Sequence, residues 1–163
     1  MNATIAFGRP FFASDFSASP GTSSEAGSVR RHLQELHQAF VDAESLHGAA
    51  TREMQDAFLD CREENWDGYD ASPVSDTTFL RAREFLSQIL PRFPAPTASA
   101  APGGSLVFEW FVSPRRRFLA SIGEDERVAF AGVFGSDPIH GTTTFNRDIP
   151  PEIIQHLVRL FLS

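Results

Sequence analysis

The sequence predicts an α+β domain of order ααββββα, and three patterns predict it. Apolar residues keep a three-four spacing from Leu33 through Leu36, Phe40, Ala43, His47, Ala50, Met54 and Ala57 to Cys61, which marks one long helix. Leu106, Phe108, Trp110 and Val112 alternate with Val107, Glu109 and Phe111, the period of a strand with one buried face. From about Pro151 to Leu162 a helical period returns, with Ile153 or Ile154, Leu157 and Phe161 on one side. A chain of 163 residues is the size of one ordinary domain, long enough to bury a real core.

Taken in order, residues 1–27 are rich in Ser, Ala, Gly and Pro and have no period. They read as a flexible segment, yet one that carries Phe7, Phe11, Phe12 and Phe16. Residues 28–163 form the domain. The long helix is expected over 28–64, and Gly48 is its weak point, costing about 1 kcal/mol relative to Ala. A turn at 65–74 follows, set by Asp67-Gly68 and by Pro73, which pushes Ser72 away from helical angles. The second helix is expected over 75–90. Ser75 is its N-cap, Phe79, Ala82, Leu86 and Ile89 are its buried face, and Pro91 and Pro94 end it. Residues 91–104 read as a Pro/Ala/Gly-rich connection. Four strands are then expected within 105–146: the alternating run at Leu106, one around Arg117–Ile122, one at Val128–Phe134 and a weaker one at Thr142–Phe145. The short links between them favour an antiparallel meander. The last helix is expected over 150–162.

The most distinctive stretch is Asn65-Trp66-Asp67-Gly68-Tyr69-Asp70-Ala71-Ser72-Pro73-Val74-Ser75. Read physically it is a clamp. Asp67 accepts hydrogen bonds from turn amides, Gly68 takes a positive φ, and Trp66 and Tyr69 each bury a broad face. Trp and Tyr also dominate binding hot spots, so a recognition surface is the alternative reading. The stretch resembles the N-W-D-G-Y-G-A-x-P-[IV]-S signature of a widespread group of small bacterial proteins. In that group a helix like Thr77–Leu90, a Pro-containing link and a strand ending in Glu-Trp, here Glu109-Trp110, come next. The resemblance spans roughly residues 60–162 and departs at Asp70, where glycine is common. The group has no assigned activity, and the resemblance carries no catalytic residue to this chain. Its association with mobile-element and defence neighbourhoods implies a partner protein more than a reaction.

Charge and residue chemistry narrow the function. The net charge is -7, and all 14 basic residues are Arg. Only Arg115, Arg116 and Arg117 cluster, so no basic face of the kind that binds nucleic acid is expected. Without lysine there is neither a Schiff base nor a Walker-type phosphate loop. Cys61 is the single cysteine, which excludes an intramolecular disulfide and a cysteine-based zinc site. No apolar run reaches 18 residues, so no membrane span is expected, and the expected location is the cytoplasm. His37, His47 and Cys61 lie too far apart on one helix to share a metal. His140 and Asp137, in a turn-rich loop between strands, could form an acid/base pair with no nucleophile beside them.

The expectation is therefore a non-enzymatic interaction module without cofactor or metal. It would bind another protein, or a second copy of itself, through Phe7, Phe11, Phe12, Phe16, Leu33, Leu36 and Phe40. An antitoxin, immunity or accessory subunit of a bacterial defence or mobile-element assembly suits that design. Trp66, Asp67, Gly68, Tyr69, Pro73 and Trp110 are expected to be structural. The alternatives are a small hydrolase using Asp67, Asp137 and His140, and a structural homodimer built on the heptad-like stripe.

Overall fold

A computed structural model describes residues 24–162 of the chain, which contacts divide into a unit of 1–37 and a unit of 38–163. Helix α1 (Ser24–Asp60) and helix α2 (Asp76–Ile89) precede five strands, and helix α3 (Pro151–Leu162) closes the chain. The strands are β1 (Thr97–Ala100), β2 (Leu106–Ser113), β3 (Arg116–Ile122), β4 (Arg127–Phe134) and β5 (Asp137–Thr144). They form one antiparallel sheet in the order β1-β2-β3-β4-β5, so every strand lies beside its sequence neighbour. α1 runs unbroken through Gly48.

The α+β class and the antiparallel meander agree with expectation, but the sheet has five strands and not four. β1 lies inside the stretch read as a connection. Thr97-Ala98-Ser99-Ala100 has no branched aliphatic or aromatic residue, and only Ala98 and Ala100 face the core, opposite Phe108 and Leu106. Small residues suffice there because the partners are large. β5 begins five residues before the weak strand expected at Thr142. Pro138 and Gly141 look like turn formers in sequence, yet both suit this strand. Pro belongs on an edge, where its missing N–H costs no ladder bond. Gly141 lies under the ring of Phe130, where a Cβ would come within 2.5 Å of it.

One face of the sheet is buried. Leu106, Phe108, Trp110, Phe118, Ala120, Ile122, Val128 and Phe130 point into a core that α2 fills with Ala82, Phe85, Leu86 and Ile89 and α3 with Ile153, Leu157 and Leu160. Phe85 stacks on Phe108 at 5.8 Å and meets Phe145 edge-on at 5.5 Å. Trp110 buries its indole and still donates its N–H to the Pro94 carbonyl, 2.8 Å away. Ser75 caps α2 by accepting from the Thr78 N–H at 3.1 Å. Gln88 pins the link before α3 to α2, donating to the Arg147 carbonyl and accepting from the Ile149 N–H. The Arg116 guanidinium donates to the Leu160 carbonyl, satisfying an orphan acceptor in the last turn of α3.

His156 of α3 sits half-buried among Phe118, Phe130 and Phe134, with ring centroids 5.2 to 6.0 Å away. Burial pushes its pKa below the ordinary value, and Arg159 adds to that while Glu152 opposes it. A base held neutral by the fold stabilises it above its unfolded pKa of about 6.5, and that stability is lost as pH falls toward the lower folded value. Denaturant midpoints should therefore fall as pH is lowered through about 6.5 toward that lower value. The same titration of His156→Gln should give a shallower fall.

Candidate functional site

The chain segment 61–74 closes on itself through its own polar groups. The Val74 N–H donates to the Cys61 carbonyl at 2.8 Å and the Asn65 N–H to the Ala71 carbonyl at 2.9 Å, so both limbs of the loop are tied. Inside it, one oxygen of Asp67, Oδ1, accepts from the Tyr69 N–H at 2.7 Å and the Ala71 N–H at 3.2 Å. Asn65 Oδ1 accepts from the Asp70 N–H at 2.8 Å. Trp66 donates its indole N–H to the Ser72 carbonyl at 3.0 Å and packs on the core. The loop is also stitched to the β1–β2 turn: the Ser72 N–H donates to the Pro102 carbonyl at 2.8 Å, and Ser72 bridges Gly103. Gly104 is required at that seam. Its φ is +77°, and a Cβ would stand 2.7 Å from the Pro73 carbonyl oxygen.

Three residues of this loop lie in the left-handed region, Asn65 at φ 58°, Gly68 at 76° and Asp70 at 71°. Asp70, which stands where the resembling signature has glycine, thus adopts the glycine-type conformation, one that Asp tolerates better than most side chains. Tyr69 departs from expectation. Its side chain is not packed: the residue is 90% exposed at the tip of the turn. The backbone around it is fixed by Asp67 and Asn65, and those bonds leave the ring no core to reach.

The hydrolase constellation does not come together. Asp137 and His140 both lie on β5, three residues apart, and a strand's period of two sends them to opposite faces. Asp137 instead pairs with Arg159 at 2.7 Å, and Arg159 lies over the Phe134 ring at 4.5 Å. Asp67, the third member, has the oxygen nearest the turn committed to two amides. The Cys61 thiol is buried, and burial with the nearby charges of Asp60 and Asp67 pushes its pKa up, away from a reactive thiolate. Among the described residues no three His, Cys, Asp or Glu side chains gather as metal ligands. An open recess of about 570 Å³ beside the clamp is lined by Ser72, Pro73, Gly103, Gly104, Gly123, Glu124 and Asp125.

The partner-binding residues expected from sequence divide. Phe7, Phe11, Phe12 and Phe16 lie outside the described residues. In the unit of 1–37, Val29 and Leu33 are each 60% exposed and Leu36 is 45% exposed on α1. Phe40 is on α1, and its side chain lies outside the described ones. In the unit of 38–163 the same spacing is covered: Ala50, Met54 and Cys61 are buried in the core and Ala57 packs against it. No helix among the described residues is long and apolar enough to cross a membrane. No family model matches the chain, and no curated protein or solved structure matches it.

Two substitutions separate the roles within the clamp. Asp67→Ala should cost about 1 to 2 kcal/mol, because it strips two backbone N–H groups of their acceptor. Asp70→Gly should instead stabilise by about 1 kcal/mol, by relieving a left-handed non-glycine backbone. Chemical denaturation of the three proteins side by side checks both signs.

Proposed function

We propose that this chain is a non-enzymatic interaction module that recognises a protein partner through the amino-terminal half of α1 and the Phe-bearing segment before it. One observation carries the reading. The apolar spacing is continuous along α1, yet the domain core consumes only its later part, leaving Val29, Leu33 and Leu36 in solvent. Burying a leucine side chain is worth about 1.5 to 3 kcal/mol, so two or three exposed on one helical stripe are a standing drive toward association. The acidic charge of -7 disfavours a nucleic-acid partner. An antitoxin, immunity or accessory subunit of a bacterial assembly, held in the cytoplasm, is the role that suits such a module.

A second reading is a homodimer through the same stripe, favoured by its strict three-four spacing. A hydrolase is disfavoured by the opposite directions of Asp137 and His140 on β5.

The test is affinity purification of the tagged protein from its native host, with light scattering for the mass of what elutes. A stoichiometric second protein is the expected result. Leu33→Asp with Leu36→Asp should lose it while the unfolding free energy stays within about 0.5 kcal/mol of the parent, as surface changes do. Deleting 1–27 should weaken or abolish the complex in the same way. A purified chain with no partner, unaffected by these changes, overturns the reading.

A further inference from the structure

The two edges of the sheet are treated differently. β1, at one edge, has four residues. The Ala101 N–H donates to the Ser105 carbonyl, which makes that pair a bonded rung and places the backbone groups of Ala98 on the free side. That outward N–H is then taken: Glu53 of α1 accepts it at 3.0 Å. Pro96, the preceding outward position, has no N–H to offer. This edge is short and stoppered by a carboxylate, two devices that keep sheets from growing.

β5, at the other edge, has eight residues in continuous register with β4 and no bulge. The two-residue turn Gly135-Ser136 makes Phe134 and Asp137 a bonded pair, and the ladder alternates from there. Gly132 with Ile139, Phe130 with Gly141 and Val128 with Thr143 are the following rungs, and the Phe145 N–H reaches the Glu126 carbonyl at the next. The backbone groups of Pro138, His140, Thr142 and Thr144 therefore face away from the sheet. Among the described residues, nothing accepts from the N–H groups of His140, Thr142 or Thr144. The stretch from Gly141 to Thr144 carries no charge, and the chain has no lysine, the side chain most used to blunt an edge.

From this we infer that β5 is a self-association edge, where a second copy of the chain adds its own β5 in antiparallel register across a two-fold axis at Thr142. The free donors and acceptors are self-complementary about that residue. Thr142 faces Thr142 of the partner subunit, and His140 faces Thr144 of the partner subunit. The two-fold repeats the second pair, and the resulting three pairs exchange about six backbone hydrogen bonds. Pro138, lacking a donor, falls just outside the paired stretch and ends it. The side chains of His140, Thr142 and Thr144 stand on the face opposite the core, beside Ala131, Ala129 and the exposed Arg127, so pairing sets no charged side chain directly opposite another across the axis and disturbs no core contact. A chain of net charge -7 repels its own copy over most of its surface, and the uncharged Gly141–Thr144 stretch, which opposes Thr to Thr and His to Thr, is where two copies meet without like charges opposed. This edge uses none of the residues of the α1 stripe, and it stands whether or not the proposed function does.

Sedimentation or light scattering over a broad concentration range, together with amide hydrogen exchange, tests it on the full chain. The parent should reach twice the chain mass, with the amides of His140, Thr142 and Thr144 protected. Thr142→Lys places two ammonium groups opposite each other across the axis and should return the mass to one chain and free those amides. Thr142→Pro removes only an outward donor and should do the same. Leu36→Glu, on the other surface, should leave the dimer intact. A parent that stays monomeric overturns the inference, as does a dimer that survives both folded Thr142 variants or is lost in Leu36→Glu instead. Protected edge amides in a monomer also overturn it, in favour of residues 1–23 lying along the strand.

Discussion

The sheet has one greasy face, and most of the remaining architecture answers the need to cover it. Phe108, Trp110, Phe118, Ile122 and Phe130 project on one side of β2, β3 and β4, where alternation leaves them no choice. Left in water they would cost far more than a domain of this size has to spare. α2 and α3 supply the cover, and the later part of α1 contributes Ala50, Met54 and Cys61. Because three helices must land on one face, their approach angles have to be fixed, and the polar stitching at 61–74 and around Gln88 does that. The hydrogen bonds there add little net energy each. Their contribution is to remove alternative placements.

How much of this was legible depends on whether a residue's neighbours in space are also its neighbours in sequence. The Ser75 cap, the alternation of β2 and the burial of Ala82, Leu86 and Ile89 on α2 are local patterns that fall where the spacing puts them, whereas Phe85 is buried in the core without having been singled out and Phe79 is only partly covered. β1 was invisible because its core-facing residues are alanines whose suitability is set by Phe108 and Leu106 across the ladder. β5 was half hidden because Pro138 and Gly141 signal turns, and only the edge position and the overlying Phe130 ring make them fit a strand. The clamp's hydrogen-bonding logic was readable from Asp67-Gly68. Tyr69's exposure was not, since composition says an aromatic is apolar but not which way a turn presents it. The Asp137/His140 pair failed for the same reason as β5: once the segment is a strand, its period separates them.

The α1 stripe and the β5 edge follow from one principle applied to different groups. A folded chain leaves in solvent what its own packing has no use for, and large unused features of one kind are informative. On α1 the unused feature is apolar side chains, nonspecific in direction and suited to a groove. On β5 it is a row of directional backbone groups, suited to another strand. The molecule stoppers β1 with Glu53, so its fold does contain a means of closing an edge.

The meander order carries a consequence for biogenesis. Links of two to five residues join β1 through β5, so each new strand needs only a small loop closure to find its partner. The sheet can then zip strand by strand in the order the ribosome releases it, a low-contact-order route that favours fast assembly. α3 arrives last and seals Phe118 and Phe130 behind His156 and Leu157. Until α3 docks, the aromatic face around Phe118 and Phe130 stays partly open, so the nascent chain is most exposed to misassociation while that helix is still unplaced.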